Sequence, residues 1–135
     1  IREIFDRFYL PKPDGLCGND DCGQMSAWYL FSVMGFYPVC PGTDQYVLGA
    51  PYLPYLKMTL PNGKTLEIKA PGVSDKKRYV QSLKLNGKVY DKMYITHEDI
   101  LKGGVLEFKM GASPNKRRGL SPEDKPYSLT NGINK

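Results

Sequence analysis

The densest run of reactive side chains is Gly18-Asn19-Asp20-Asp21-Cys22-Gly23-Gln24. It places two adjacent carboxylates between glycines and just ahead of an apolar stretch. If that stretch is a helix, its free N–H groups and dipole favour ionised carboxylates at its start. A carboxylate held ionised and aimed into a cavity can serve as a general base that activates water. Trp28 and Tyr29 follow one to two turns later and could stack on a sugar face. The plainer reading comes first at this point: Asp is a common N-cap residue, and Asp21 can simply cap the helix. Two carboxylates and an amide are also part of a hard-cation oxygen site, but Ca²⁺ takes six or more oxygens, more than this run supplies.

Other chemistry is less well supplied. The three cysteines, Cys17, Cys22 and Cys40, exclude a fully paired framework. Cys17 and Cys22 are too far apart for a CxxC redox pair, and His97 is the single histidine, so zinc is not expected. A Cys17–Cys22 disulfide and buried free thiols both remain open. His97 lies in Thr-His-Glu-Asp, where a turn or cap role is expected. Ser26 is outside any G-x-S-x-G elbow and has no histidine nearby, so it is not expected to be a nucleophile. No P-loop or G-x-G-x-x-G occurs.

The elements that must position the acidic run follow from periodicity. Ile1, Ile4, Phe5 and Phe8 recur at helical spacing, and Pro11 and Pro13 end that helix. A second helix is predicted from about Cys22 to Met34, with Asp21 as N-cap, Gln24 completing a capping box and Gly35 as the stop. It is apolar almost all round, so it is expected to be covered on every side, by a partner or by more chain than this. After Pro38, short alternating runs read as strands: 44–48, 56–60, 65–70, 79–85, 88–94 and 105–110. Pro61-Asn62-Gly63-Lys64 and Asn86-Gly87 are hairpin turns, and 97–101 is a helical turn capped by Thr96. The expected fold class is α+β: a mainly antiparallel sheet or small sandwich packed on one buried apolar helix, with a short N-terminal helix. Residues 111–135 read as an irregular surface tail.

Composition bounds the function. The chain has 135 residues, 41% hydrophobic and 24% charged, which fits one globular domain and excludes collagen or long disorder. No apolar run reaches the roughly 18 residues of a membrane helix. The formal charge is +5, but residues 1–45 carry three basic and six acidic side chains, whereas 46–135 carry sixteen and eight. The lysines are mostly scattered singly between apolar positions, as on a solvated strand face, so no nucleic-acid partner is expected. The chain begins with Ile and shows no signal segment, which reads as a processed or excised piece.

The run Gly15-Leu16-Cys17-Gly18-Asn19-Asp20-Asp21-Cys22-Gly23-Gln24-Met25-Ser26-Ala27-Trp28-Tyr29, with Met34-Gly35-Phe36-Tyr37-Pro38 and Gly42-Thr43-Asp44-Gln45-Tyr46, resembles the signature near the C-terminus of glycoside hydrolase family 92. The likeness continues through Leu48-Gly49-Ala50-Pro51, Leu85-Asn86-Gly87-Lys88, His97-Glu98-Asp99-Ile100 and Met110-Gly111, nearly the whole chain. It implies a parent several times longer, with an N-terminal β-sandwich joined to an (α/α)6 barrel. In that scheme residues 1–40 end the catalytic barrel, 41–112 form a β-rich C-terminal domain and 113–135 the tail. The implied enzyme is a bacterial, exo-acting, inverting, Ca²⁺-dependent α-mannosidase, of the kind often named for α-1,2 linkages, acting on mannose-containing glycans in the periplasm or outside the cell. The implied general base is Asp21 first and Asp20 second, with Asn19, Gln24 and Trp28 as substrate-binding candidates. The general acid, a glutamate, and most Ca²⁺ ligands would lie upstream of this chain. The alternative class is a non-catalytic β-rich carbohydrate-binding or docking module.

Overall fold

The computed structural model describes residues 1–130. Helix α1 spans Arg2–Phe8 and carries one buried side chain, Phe5. The chain turns extended at Tyr9 and passes through Pro11 and Pro13, and an isolated bridge ties Tyr9 to Leu16. Helix α2 spans Gln24–Met34 and ends at Gly35. Gly35 is left-handed (φ 87°), and its N–H donates to the carbonyls of Phe31 and Ser32. A side chain there would also collide with Pro51, whose N lies 2.7 Å from an added Cβ. Glycine thus ends the helix for two reasons at once.

The two sheets come from the alternating runs. Strands β1 (Phe36–Tyr37), β2 (Gln45–Leu48) and β7 (Tyr94–Thr96) form a small antiparallel sheet in the order β1-β2-β7. Strands β3 (Tyr55–Thr59), β4 (Thr65–Lys69), β5 (Tyr79–Leu85), β6 (Lys88–Val89) and β8 (Gly104–Gly111) form a five-stranded sheet in the order β3-β4-β8-β5-β6. Period two in the sequence becomes one wet face and one dry face. Leu66 and Ile68 on β4, and Leu106, Phe108 and Met110 on β8, are buried, while Glu107 and Lys109 between the β8 residues are exposed. Leu66, Ile68 and Leu106 are essentially sealed from solvent, each worth roughly 1.5–3 kcal/mol of burial. The core runs on through Leu83, Ile95 and Ile100 to Phe36 and Leu48, so both sheets share it.

Three expectations need correction. The large sheet is not antiparallel throughout: β4 and β8 run parallel, in register from Leu66↔Gly104 to Lys69↔Glu107. Parallel neighbours need a long crossover, and β5, β6, β7 and α3 (His97–Lys102) supply it. The run 88–94 is not one strand, because β6 ends at Val89 and β7 starts at Tyr94. Helix α2 is not covered all round. Its buried residues are Ser32 and Val33, whereas Leu30 is 60% exposed. Both hairpin turns form where expected, with Asn86 and Gly87 both at positive φ as a tight hairpin requires. The cap on α3 also forms, Thr96 Oγ1 accepting the Asp99 N–H at 3.1 Å.

From 112 to 130 the chain is anchored, and it is not irregular throughout as expected, since Pro122–Asp124 make a 3-10 turn. Arg118 Nη2 donates to the carbonyls of Tyr90 (3.2 Å) and Lys92 (2.9 Å), and the Tyr127 N–H donates to Gln45 Oε1 at 2.7 Å. Residues 131–135 of the expected tail lie outside the described residues. No helix among the described residues is long and apolar enough to cross a membrane.

Candidate active site

The acidic run folds as a kinked entry to α2. Asp21–Gly23 make one turn of 3-10 helix. Inside it Cys22 takes left-handed backbone angles (φ 53°, ψ 27°), followed by Gly23 at φ 80°. Left-handed backbone is uncommon for a residue other than glycine. The kink swings Asp20 back over the start of α2. Asp20 Oδ1 accepts the N–H groups of Met25 (2.7 Å) and Ser26 (3.1 Å), and Oδ2 accepts the Ser26 hydroxyl. These bonds, the Ser26 hydroxyl foremost, hold the Asp20 carboxyl below its ordinary pKa.

The cap is therefore Asp20, not Asp21, and it reaches in from the loop rather than from the residue just before the helix. The residue just before α2 is Gly23, and the expected capping box through Gln24 does not form. Asp21 is exposed and makes no side-chain hydrogen bond or ion pair among the described residues. The two neighbouring carboxylates thus part company: one is committed to backbone donors, the other is open.

The other candidates spread around this corner. Asn19 and Gln24 are exposed. Trp28 is half-buried, edge-on to Phe5 (5.7 Å between centroids) and stacked with Tyr9 (5.6 Å). Phe5 also meets Tyr29 and Tyr52, so α1 is bound to α2 through an aromatic cluster directly behind the acidic corner. A groove of about 590 Å³ opens beside it, with Tyr9, Leu16, Ser26, Tyr29, Leu30 and Tyr52 among its walls.

Two residues of the corner escaped the reading of the sequence. Ser26 donates its hydroxyl to Asp20. Tyr9 donates its hydroxyl to the Met25 carbonyl at 3.2 Å, and burial, then the nearby Cys17 and Asp20, push its phenol pKa up. A Ser six residues after an Asp carries no common capping signature, so only the kink at Cys22 explains the contact. His97 stays away from this chemistry; its Nδ1 lies 3.2 Å from the Tyr46 hydroxyl at the start of α3. The thiols are free, and Cys17 and Cys22 are exposed rather than buried.

The described residues contain no group of three or more His, Cys, Asp or Glu that could hold a metal ion. Asp20 already spends three acceptor positions on α2. The donors among the described residues do not by themselves make up a Ca²⁺ cage.

Residues 1–112 match the family model of the glycosyl hydrolase family 92 catalytic domain. The chain belongs to glycosyl hydrolase family 92. Among solved family 92 structures, an alpha-mannosidase of Bacteroides thetaiotaomicron superposes with a TM-score of 0.89 at 48% identity, over 95% of this chain and 17% of its own. The same protein has also been solved with mannoimidazole. A second enzyme of that organism, described as an inverting mannosidase, superposes with a TM-score of 0.86 at 40% identity, over 96% of this chain and 18% of its own. An uncharacterized secreted glycosidase of Arthroderma benhamiae is 35% identical over 122 residues. The chain spans 16% of that relative's length.

Proposed function

We propose that this chain is the C-terminal part of an inverting α-mannosidase that removes terminal α-linked mannose from glycans, and that Asp21 is its general base. The observation that carries the assignment is the division of labour between Asp20 and Asp21. A base must offer a free lone pair to water. A carboxylate has about four such positions, and three of those on Asp20 are taken by Met25 and Ser26. The same bonds lower the Asp20 pKa, which weakens it as a proton acceptor. Asp21 is exposed and rides on the same rigid turn.

In this reading Asp21 takes a proton from a water on the face of the sugar opposite the leaving group. The general acid protonates the glycosidic oxygen from the other side. Inversion needs the two carboxyls about 6.5–9.5 Å apart with water between. Asp20 and Asp21 are adjacent, with Cα atoms about 3.8 Å apart, and cannot flank a sugar ring. The acid, a glutamate, therefore belongs to the remainder of the parent chain, as do the ligands of the proposed Ca²⁺ ion. Residues 1–40 form the end of the catalytic barrel in this scheme, 41–112 its β-rich support and 113–135 the tail. Asn19 and Gln24, exposed on either side of the carboxylates, are the proposed sugar contacts, and Trp28 acts from behind as packing. The secreted Arthroderma relative supports action outside the cytoplasm. Preference for α-1,2 linkages and a bacterial periplasmic setting complete the reading.

The test is Asp21→Asn in the parent enzyme, followed on an aryl α-mannoside with the folded state checked by circular dichroism. Loss of turnover with an intact fold supports the assignment. Turnover unchanged in both Asp21→Asn and Asp20→Asn would leave the chain as a β-rich binding or docking module.

A further inference from the structure

Arg118 is the most unusual charged residue away from the acidic corner. It is half-buried; its Nη2 is tied to the Tyr90 and Lys92 carbonyls, yet its Nε is buried with no hydrogen-bond partner. An unpartnered buried donor on a cation is costly. Arg118 lines a cavity of about 240 Å³ that also takes in the Gly49-Ala50 backbone, Arg78, Tyr79 and Asn115. Arg78 uses its Nε on the Asp75 carbonyl at 2.8 Å. A second cavity of about 200 Å³ shares Ala50, Arg78 and Tyr79 with the first and adds Arg2. No carboxylate lines either cavity. No carboxylate among the described residues lies within ion-pair distance of Arg118 or Arg78; Asp91 and Asp124 act on Arg118 only from farther away.

Arg118 and the exposed Arg78 both line this cavity, so an anion seated there would meet two guanidinium-bearing side chains. A water would satisfy the Arg118 Nε but would not use the second guanidinium. A guanidinium pair matches the planar or tetrahedral array of acceptors on an oxyanion. We propose that the cavity between the Gly49-Ala50 backbone and the side chains of Arg78 and Arg118 is an oxyanion site, taking a carboxylate or a phosphate. The anion reaches it either as a side chain of the longer protein or as a free group. This site is independent of the mannosidase reading.

The experiment uses the intact parent enzyme, its Arg78→Met and Arg118→Met variants, the double variant, and Lys116→Met as a control for general charge. Each is melted with and without inorganic phosphate. A free-anion site gives a saturable rise in Tm with phosphate in the parent protein and in Lys116→Met, with apparent affinity weakened about tenfold or more in Arg78→Met. A side-chain occupant gives no response to phosphate. Instead Arg78→Met lowers Tm without phosphate, and that loss disappears in the Arg118→Met background because the two arginines share one partner. The proposal is overturned if phosphate has no effect and the two substitutions act independently, or if removing Arg78 stabilises the protein by relieving repulsion. Arg78→Met carries the test should Arg118→Met fail to fold.

Discussion

Asp20 and Ser26 close on each other across the kink at Cys22, the serine giving both its N–H and its hydroxyl to the one carboxylate. That clasp turns an exposed loop into a fixed platform for Asp21, the next residue along.

The clasp makes stability depend on pH in a definite direction. The bonds from Ser26 and Met25 hold the folded-state pKa of Asp20 below its unfolded value, so folding is favoured by its ionised form. Its contribution is fully present above that unfolded value and disappears as pH falls through the lower folded value. Thermal melts between pH 2 and 6 should show Tm falling on the acid side. Asp20→Asn should start lower at pH 6 and flatten that fall.

Asp21→Asn should cost about 10²–10⁴-fold in kcat of the parent enzyme, the range for a positioned acid or base. Tm should hardly move, since the Asp21 side chain bonds to nothing in the described fold. A large fall in Tm with little change in kcat would reverse the assignment of Asp20 and Asp21.

Ser26→Ala should lower kcat with KM within about twofold, because the hydroxyl acts on the direction of Asp21 rather than on the sugar. Ser26→Thr keeps a hydroxyl and should recover most of the loss. Steady-state kinetics on an aryl α-mannoside decide it.

The 135 residues alone should not hydrolyse an aryl or disaccharide α-mannoside, with or without Ca²⁺, since one carboxylate loop cannot flank the ring. Release of mannose by the purified chain would show that the acid lies within it.

Gly35→Ala should destabilise by about 1–3 kcal/mol or more, because it combines left-handed strain with a contact against Pro51. Chemical denaturation gives the figure directly.

Much of this fold was legible from local rules. Alternation located β4, β5 and β8 to within a residue or so, and Asn86-Gly87 marked its hairpin. Thr96 and Gly35 bounded their helices because a hydroxyl cap and a left-handed stop depend on neighbours in sequence. The capping of α2 was misplaced by one residue. Asp20 and Asp21 are chemically identical, and the choice between them is made by left-handed angles at Cys22 that its side chain does not announce. The parallel β4–β8 pairing was hidden for a different reason: it joins segments far apart in sequence, and period two does not state direction. The uncovered face of α2 was half legible. Its composition called for a cover from outside these residues, and the structure shows which side chain is left open, Leu30.

The position of β8 sets an order of assembly. It is the last strand among the described residues and the middle strand of the five. During synthesis the hairpins β3–β4 and β5–β6 leave the ribosome as two separate halves, each with an open edge and a greasy side. Nothing joins them until Gly104–Gly111 slides in between, so a chain ending before Gly104 would be left with two flaps and no seam.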